Sequence, residues 1–70
     1  MPEIGAVYEH YKNHHHYMVI AIGKHSETLE DMVIYKALYK SDEFPNGQIW
    51  CRPLKMWAEN VNGQPRFRKI

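Results

Sequence analysis

Short runs of β-branched and aromatic residues alternate along this chain with polar stretches punctuated by Gly, Asn and Pro. Such spacing predicts strands, because a helix would repeat its apolar residues three and four apart over ten or more positions. The first two runs, residues 6–11 and 17–22, read as a hairpin with Asn13 in a left-handed turn between them. In the second run Met18, Ile20 and Ile22 share one face while Tyr17, Val19 and Ala21 share the other. A strand apolar on both faces belongs at the centre of a sheet. Gly23 then ends it and opens a charged loop over residues 24–31.

The third run, residues 32–39, puts Val33, Tyr35, Ala37 and Tyr39 on one face, and Lys36 interrupts the other. Asn46-Gly47 after Pro45 is the strongest turn signal in the chain and predicts a hairpin to a fourth strand over residues 48–52. Pro53 stops that strand. A proline followed by Leu-Lys-Met-Trp predicts one short helical turn over residues 53–57, and Asn62-Gly63 marks another reversal. Residues 65–69 are placed to close the sheet. Five or six short strands in 70 residues therefore predict a mainly β fold, a small, partly open SH3-like barrel forming a single domain over residues 1–70.

Composition narrows this reading. So short a chain must bury most of its nine aromatic side chains to fold, leaving two or three for recognition. Cys51 is the only cysteine, which rules out an internal disulfide and a multi-thiolate zinc site and suits a reducing, cytoplasmic setting. No apolar run approaches the length of a membrane helix, and Met1-Pro2-Glu3 lacks the basic start of a secretory signal, so no membrane partner is expected. The net charge of +1 is no footprint of strong phosphate binding. Residues 1–35 nonetheless hold two bases against five acids, and residues 36–70 hold seven bases against three acids.

The blocks His25-Ser26-Glu27-Thr28-Leu29-Glu30, Val33 with Tyr35, Ala37-Leu38-Tyr39, and Trp50 with Arg52-Pro53-Leu54 and Met56 follow one another in a specific order. Together with Tyr8-Glu9-His10-Tyr11-Lys12 at the start and Pro65-Arg66-Phe67 at the end, they resemble the bacterial domain-of-unknown-function family DUF1653. The resemblance spans nearly the whole chain. It implies a small stand-alone bacterial β domain and supplies no catalytic residue. Where that family usually has glycine after the position of Lys12, this chain has Asn13-His14-His15-His16.

Four groups of residues carry candidate chemistry. Histidines 14 to 16, with His10 nearby, suggest a metal, but on a strand His14 and His16 point away from His15 and no thiolate completes a tetrahedral set. No metal or other cofactor is expected. His25, Ser26 and Glu27 hold the side chains of a nucleophilic triad, yet triads are assembled from residues distant in sequence, so the competing reading is a loop held by its own hydroxyls. Trp50, Arg52 and Tyr35 offer aromatic and cationic surface of the kind small barrels use to hold a peptide or a base. If Trp50 and Arg52 line such a groove, Ile49 and Cys51 should face the core; the alternative packs Trp50 inside and pairs Arg52 with Glu27 or Glu30. Arg66, Arg68 and Lys69 present a small basic patch near the end of the chain.

These readings converge on an uncharacterised binding module, more a receptor than an enzyme. His25, Ser26, Glu27, Tyr35, Trp50 and Arg52 are its expected ligand-binding residues, for a peptide, nucleotide or nucleic-acid partner. The alternatives are a small hydrolase using His25 and Glu27 as acid and base, and a homo-oligomer or partner subunit built through an exposed strand edge. The chain is expected to be a monomer or a weak homo-oligomer.

Overall fold

The computed structural model describes residues 1–70. In chain order the elements are β1 (Val7–His10), β2 (His16–Lys24), β3 (Asp31–Ala37), β4 (Ile49–Pro53), α1 (Leu54–Trp57), β5 (Asn60–Val61), β6 (Gln64–Pro65) and β7 (Phe67–Lys69). Five strands form one antiparallel sheet in the order β4-β3-β2-β1-β7, and β5 and β6 form a separate two-stranded ribbon. The fold is mainly β, as the apolar runs predict. No ladder joins β4 to β7, so the sheet closes no barrel and keeps two edges.

As expected, β2 is the middle strand, but its faces do not keep one parity along its length. A bulge lies between Val19, opposite Tyr35, and Ala21, opposite Ile34, and Ile20 is the extra residue. Beyond it the faces exchange. Ile22 lies opposite the fully buried Val33 and packs on the core, while Ala21 turns outward with Ile34. Period two alone therefore assigns Ile22 and Ala21 to the wrong sides.

One concave face holds the core: Tyr8, Tyr17, Val19, Val33, Tyr35, Ala37, Trp57 and Phe67. The short helix supplies its lid. Trp57 stacks on Phe67 with ring centroids 3.7 Å apart and planes 7° apart, and meets Tyr8 and Tyr35 edge-on at 5.3 and 5.0 Å. Edge-to-face packing of this kind is favourable beyond the area it buries, because the rim of one ring meets the electron-rich face of another. Every buried side-chain nitrogen and oxygen has a hydrogen-bond partner.

The turns differ from expectation in instructive ways. At the first reversal His14, with φ of 59°, takes the left-handed conformation instead of Asn13, whose Oδ1 accepts the His15 N–H at 2.8 Å. An Asn that bonds to the backbone two residues ahead fixes the turn by its side chain, and the strain passes to its neighbour. The third strand stops at Ala37, short of Tyr39, so Asn46-Gly47 closes a long loop instead of a two-residue hairpin. Gly47, at φ 88°, donates its N–H to the Ala37 carbonyl at 2.9 Å and thereby sets the start of β4. Asn62-Gly63 does make the expected tight turn, with φ of 53° and 81° at its two central residues, the geometry that suits two-residue hairpins.

Candidate functional site

A cleft of about 200 Å³ opens on the concave face, lined by His10, Asn13, Tyr17, Tyr35, Trp50, Arg52 and Phe67. All five strands of the main sheet contribute. His10 comes from the end of β1, Tyr17 from β2, Tyr35 from β3, Trp50 and Arg52 from β4, Phe67 from β7, and Asn13 from the first turn. Directly paired residues share a face, and Tyr35 pairs with Trp50 while Val33 pairs with Arg52. Trp50 and Arg52 therefore lie on the core side of β4, and the exposed Ile49 and Cys51 point outward, the reverse of the assignment a groove-lining Trp50 suggested. The reason is geometric: the cleft is the unfilled rim of the core face itself, so a residue can face the core and line the cleft at once.

Arg52 has no carboxylate partner. Arg66 pairs with Glu59, Arg68 with Glu9, Lys69 with Glu3 and Lys24 with Asp31, but no acid reaches Arg52, neither Glu27 nor Glu30. Instead its guanidinium carbon sits over the Phe67 ring, 5.5 Å from the centroid, within cation–π reach. Burial pushes the Tyr35 phenol above its ordinary value, and the adjacent Arg52 charge only partly offsets this.

His10 meets Phe67 edge-on at 5.0 Å, and its Nδ1 accepts the Lys12 N–H at 3.1 Å. That bond leaves Nε2 to carry the proton of the neutral ring. Burial, then the positive charges of Arg52, Arg66 and Lys12, hold the His10 pKa below the usual histidine value. Nothing in the sequence around His10 marks it as a cleft residue. Only its pairing with Phe67, across most of the chain's length, brings it there.

Tyr17 and Tyr39 share a hydrogen bond of 2.7 Å, and Asn13 Nδ2 donates to the Tyr17 hydroxyl at 3.4 Å. The polar tips of Asn13 and Tyr17 are therefore engaged within the protein. Trp50 is half-buried and meets Phe44 edge-on at 4.9 Å, which fixes one wall of the cleft.

His25, Ser26 and Glu27 lie elsewhere. They occupy the loop beyond Lys24 and Asp31, and Tyr35 is four residues further along β3, about 13 Å at the rise of a strand. None of the chain's cavities includes them. His25 Nδ1 accepts the Glu27 and Thr28 N–H groups at 3.1 and 3.3 Å, and Thr28 Oγ1 accepts the Glu30 N–H at 3.3 Å. The loop is thus held by its own side chains. The expected site divides: Tyr35, Trp50 and Arg52 meet, and the histidine loop stands apart.

Two of the remaining three histidines converge on one acid. His14 Nδ1 and His16 Nε2 lie 3.1 and 3.4 Å from the two Glu9 carboxylate oxygens, and Arg68 lies 3.3 Å from one of them. Hydrogen bonding to His14 leads the causes that hold Glu9 below the usual carboxylate range; burial opposes it, and His16 and Arg68 add to the lowering. His15 turns the other way and packs on Tyr39, ring centroids 3.8 Å apart.

An open, five-stranded antiparallel sheet with a one-turn helical lid and an aromatic and cationic cleft defines a small, mainly β domain. Residues 6–69 match the family model described as a protein of unknown function, DUF1653. This chain belongs to that family. A crystal structure of a DUF1653 protein from Bordetella bronchiseptica is similar at 33% identity and a TM-score of 0.80, covering 97% of this chain and 87% of that one. No curated protein matches. No helix is long and apolar enough to cross a membrane.

Proposed function

We propose that this chain is a single-domain, cytoplasmic binding module whose cleft receives one group of a peptide, nucleotide or nucleic-acid partner. The observation that carries the reading is the meeting of Tyr35, Trp50 and Arg52 around one cavity, with Arg52 left without a carboxylate. A half-buried cation whose partners inside the protein are a ring and a phenol, with no acid to neutralise it, keeps its charge available to an anionic group of a ligand. A peptide fits better than a nucleic acid. The basic residues near the end of the chain, Arg66, Arg68 and Lys69, are each engaged by an acid, so this patch offers no free cations to a phosphate backbone.

The cleft lies below the roughly 300 Å³ at which pockets enclose whole drug-sized ligands, which suits one side chain or chain end of a larger partner. The exposed thiol of Cys51 favours a reducing compartment. Hydrolysis through His25 and Glu27 has less support, because His25 Nδ1 already accepts two backbone N–H groups and faces no cavity. An NMR titration with peptide pools, nucleotides and single-stranded oligonucleotides tests the proposal. Shifts at Tyr35, Trp50 and Arg52 support it, and their absence across all three pools overturns it.

A further inference from the structure

Resting on that reading of the cleft, we infer that its ligand is a carboxylate carried on an apolar or aromatic stem, with Arg52 as the group that binds the anion. The lining holds no acid; its polar members are His10, Asn13, Arg52 and the two tyrosine hydroxyls. Asn13 is spent on Tyr17 and on the His15 N–H, and Arg52 shares one hydrogen bond with the Tyr35 hydroxyl, which leaves the other Arg52 N–H groups and the Nε2–H of His10 as the donors open to a ligand. A lining whose open groups are mainly donors, with no carboxylate among them, selects an oxygen anion over a cation.

The charge count selects the kind of anion. His10 is neutral at pH 7, so the cleft offers one permanent positive charge. A carboxylate matches it. A phosphate monoester, carrying about −1.5 to −2 at pH 7, leaves an uncompensated charge among aromatic rings. A phosphodiester has the right charge but arrives with a polyanionic chain, and no second unpaired base lines the cleft to meet it. The shape agrees. A guanidinium with one side over the Phe67 ring and one N–H shared with the Tyr35 hydroxyl still has four N–H groups in its plane, enough to grip a carboxylate through two parallel hydrogen bonds. Around it stand Tyr17, Tyr35, Trp50 and Phe67, walls for an apolar stem no larger than one residue.

Such a carboxylate has two sources, a free small acid or the last residue of a peptide, and the test separates them. The unmodified protein is titrated by NMR with N-acetyl-Gly-Phe as free acid, with the same dipeptide as its C-terminal amide, with phenylacetate and with phenyl phosphate. The Trp50 indole and Arg52 Nε–H signals report occupancy. The free acid should bind at least about tenfold more tightly than the amide, the ordinary worth of a charge-assisted hydrogen bond. Arg52→Gln should erase that preference, and Arg52→Lys, which keeps the charge without the fork, should retain part of it.

Phenylacetate binding as tightly as the dipeptide acid supports a free small acid, and weaker binding supports a peptide end. Equal binding of acid and amide at these signals overturns the carboxylate assignment while leaving the cleft a binding site. Tighter binding of phenyl phosphate overturns it as well. Silence of both signals with all four probes, together with peptide, nucleotide and oligonucleotide pools, overturns both readings.

Discussion

Arg52, on one edge strand of the sheet, sits over the ring of Phe67 on the opposite edge strand, 5.5 Å from its centroid. Three strands lie between them in the ladder, so the contact measures how far the sheet curls. The same ring stacks on Trp57 from the helical lid. Phe67 is where the curl, the lid and the cleft meet.

Replacing Trp57 removes the lid from the aromatic core. Trp57→Ala should destabilise the chain by about 3–5 kcal/mol, as large-to-small changes at buried aromatic residues do. In so short a domain that is much of the total stability. Urea denaturation followed by circular dichroism should show the cooperative transition lost or strongly shifted. Trp50→Ala, at the half-buried cleft wall, should keep a cooperative transition, and a loss equal to that of Trp57→Ala would contradict this division of roles.

One base, His10, and one acid, Glu9, give the stability a two-step dependence on pH. His10 has a depressed pKa when folded, so the unfolded chain binds its proton first. Its contribution is present while the ring is neutral and fades as pH falls from about 6.5 toward the folded value. Glu9 is also depressed, and its contribution is present above the ordinary carboxylate value and lost as pH falls through the folded one. Melting temperature should therefore drop in two stages on acidification. Glu9→Gln should remove the lower stage alone, and Arg52→Gln should raise the His10 pKa measured by NMR, since Arg52 adds to the effect of burial.

Leu29 is exposed yet holds a left-handed φ of 64° in the loop after β2. That conformation costs a residue with a side chain about 1–2 kcal/mol, and glycine gives back part of the gain through its freer unfolded chain. Leu29→Gly should stabilise the protein by about 0.5–1 kcal/mol in urea denaturation. His25→Ala should do the reverse, by about 0.5–1.5 kcal/mol, because the Glu27 and Thr28 N–H groups lose their acceptor.

Tyr39 should ionise late in a spectroscopic alkaline titration. Burial first, and then its hydrogen bond with Tyr17, push its pKa up to about 12. Tyr17→Phe should bring it down, and an unchanged value would place the cause in burial alone.

The parts of the fold readable in advance are those fixed by short-range chemistry. Alternating residues identify the buried face of β3 at Val33, Tyr35 and Ala37, and the Asn62-Gly63 pair marks its tight turn. The cleft is legible in part for the same reason. Strand period two puts Trp50 and Arg52 on one side, and the pairing of β3 with β4 sets them beside Tyr35. What escapes the sequence depends on distant partners. The Ile20 bulge is set by register against β3, and His10 reaches the cleft only through its pairing with Phe67. The separation of the histidine loop from the cleft is likewise a matter of which end of β3 borders the cavity, which residue spacing does not carry.

No backbone ladder joins the margins of the sheet, β4 and β7; the Arg52–Phe67 contact and the Trp57 stack of the lid draw them together. Parting them breaks no rung of the backbone ladder. Admission of a guest thus asks for torsional swings of a long cationic arm, motions of the picosecond-to-nanosecond kind, instead of a slow hinge. Under the proposed function, a doorway built this way would exchange its visitors quickly unless the visitor itself completed the seam.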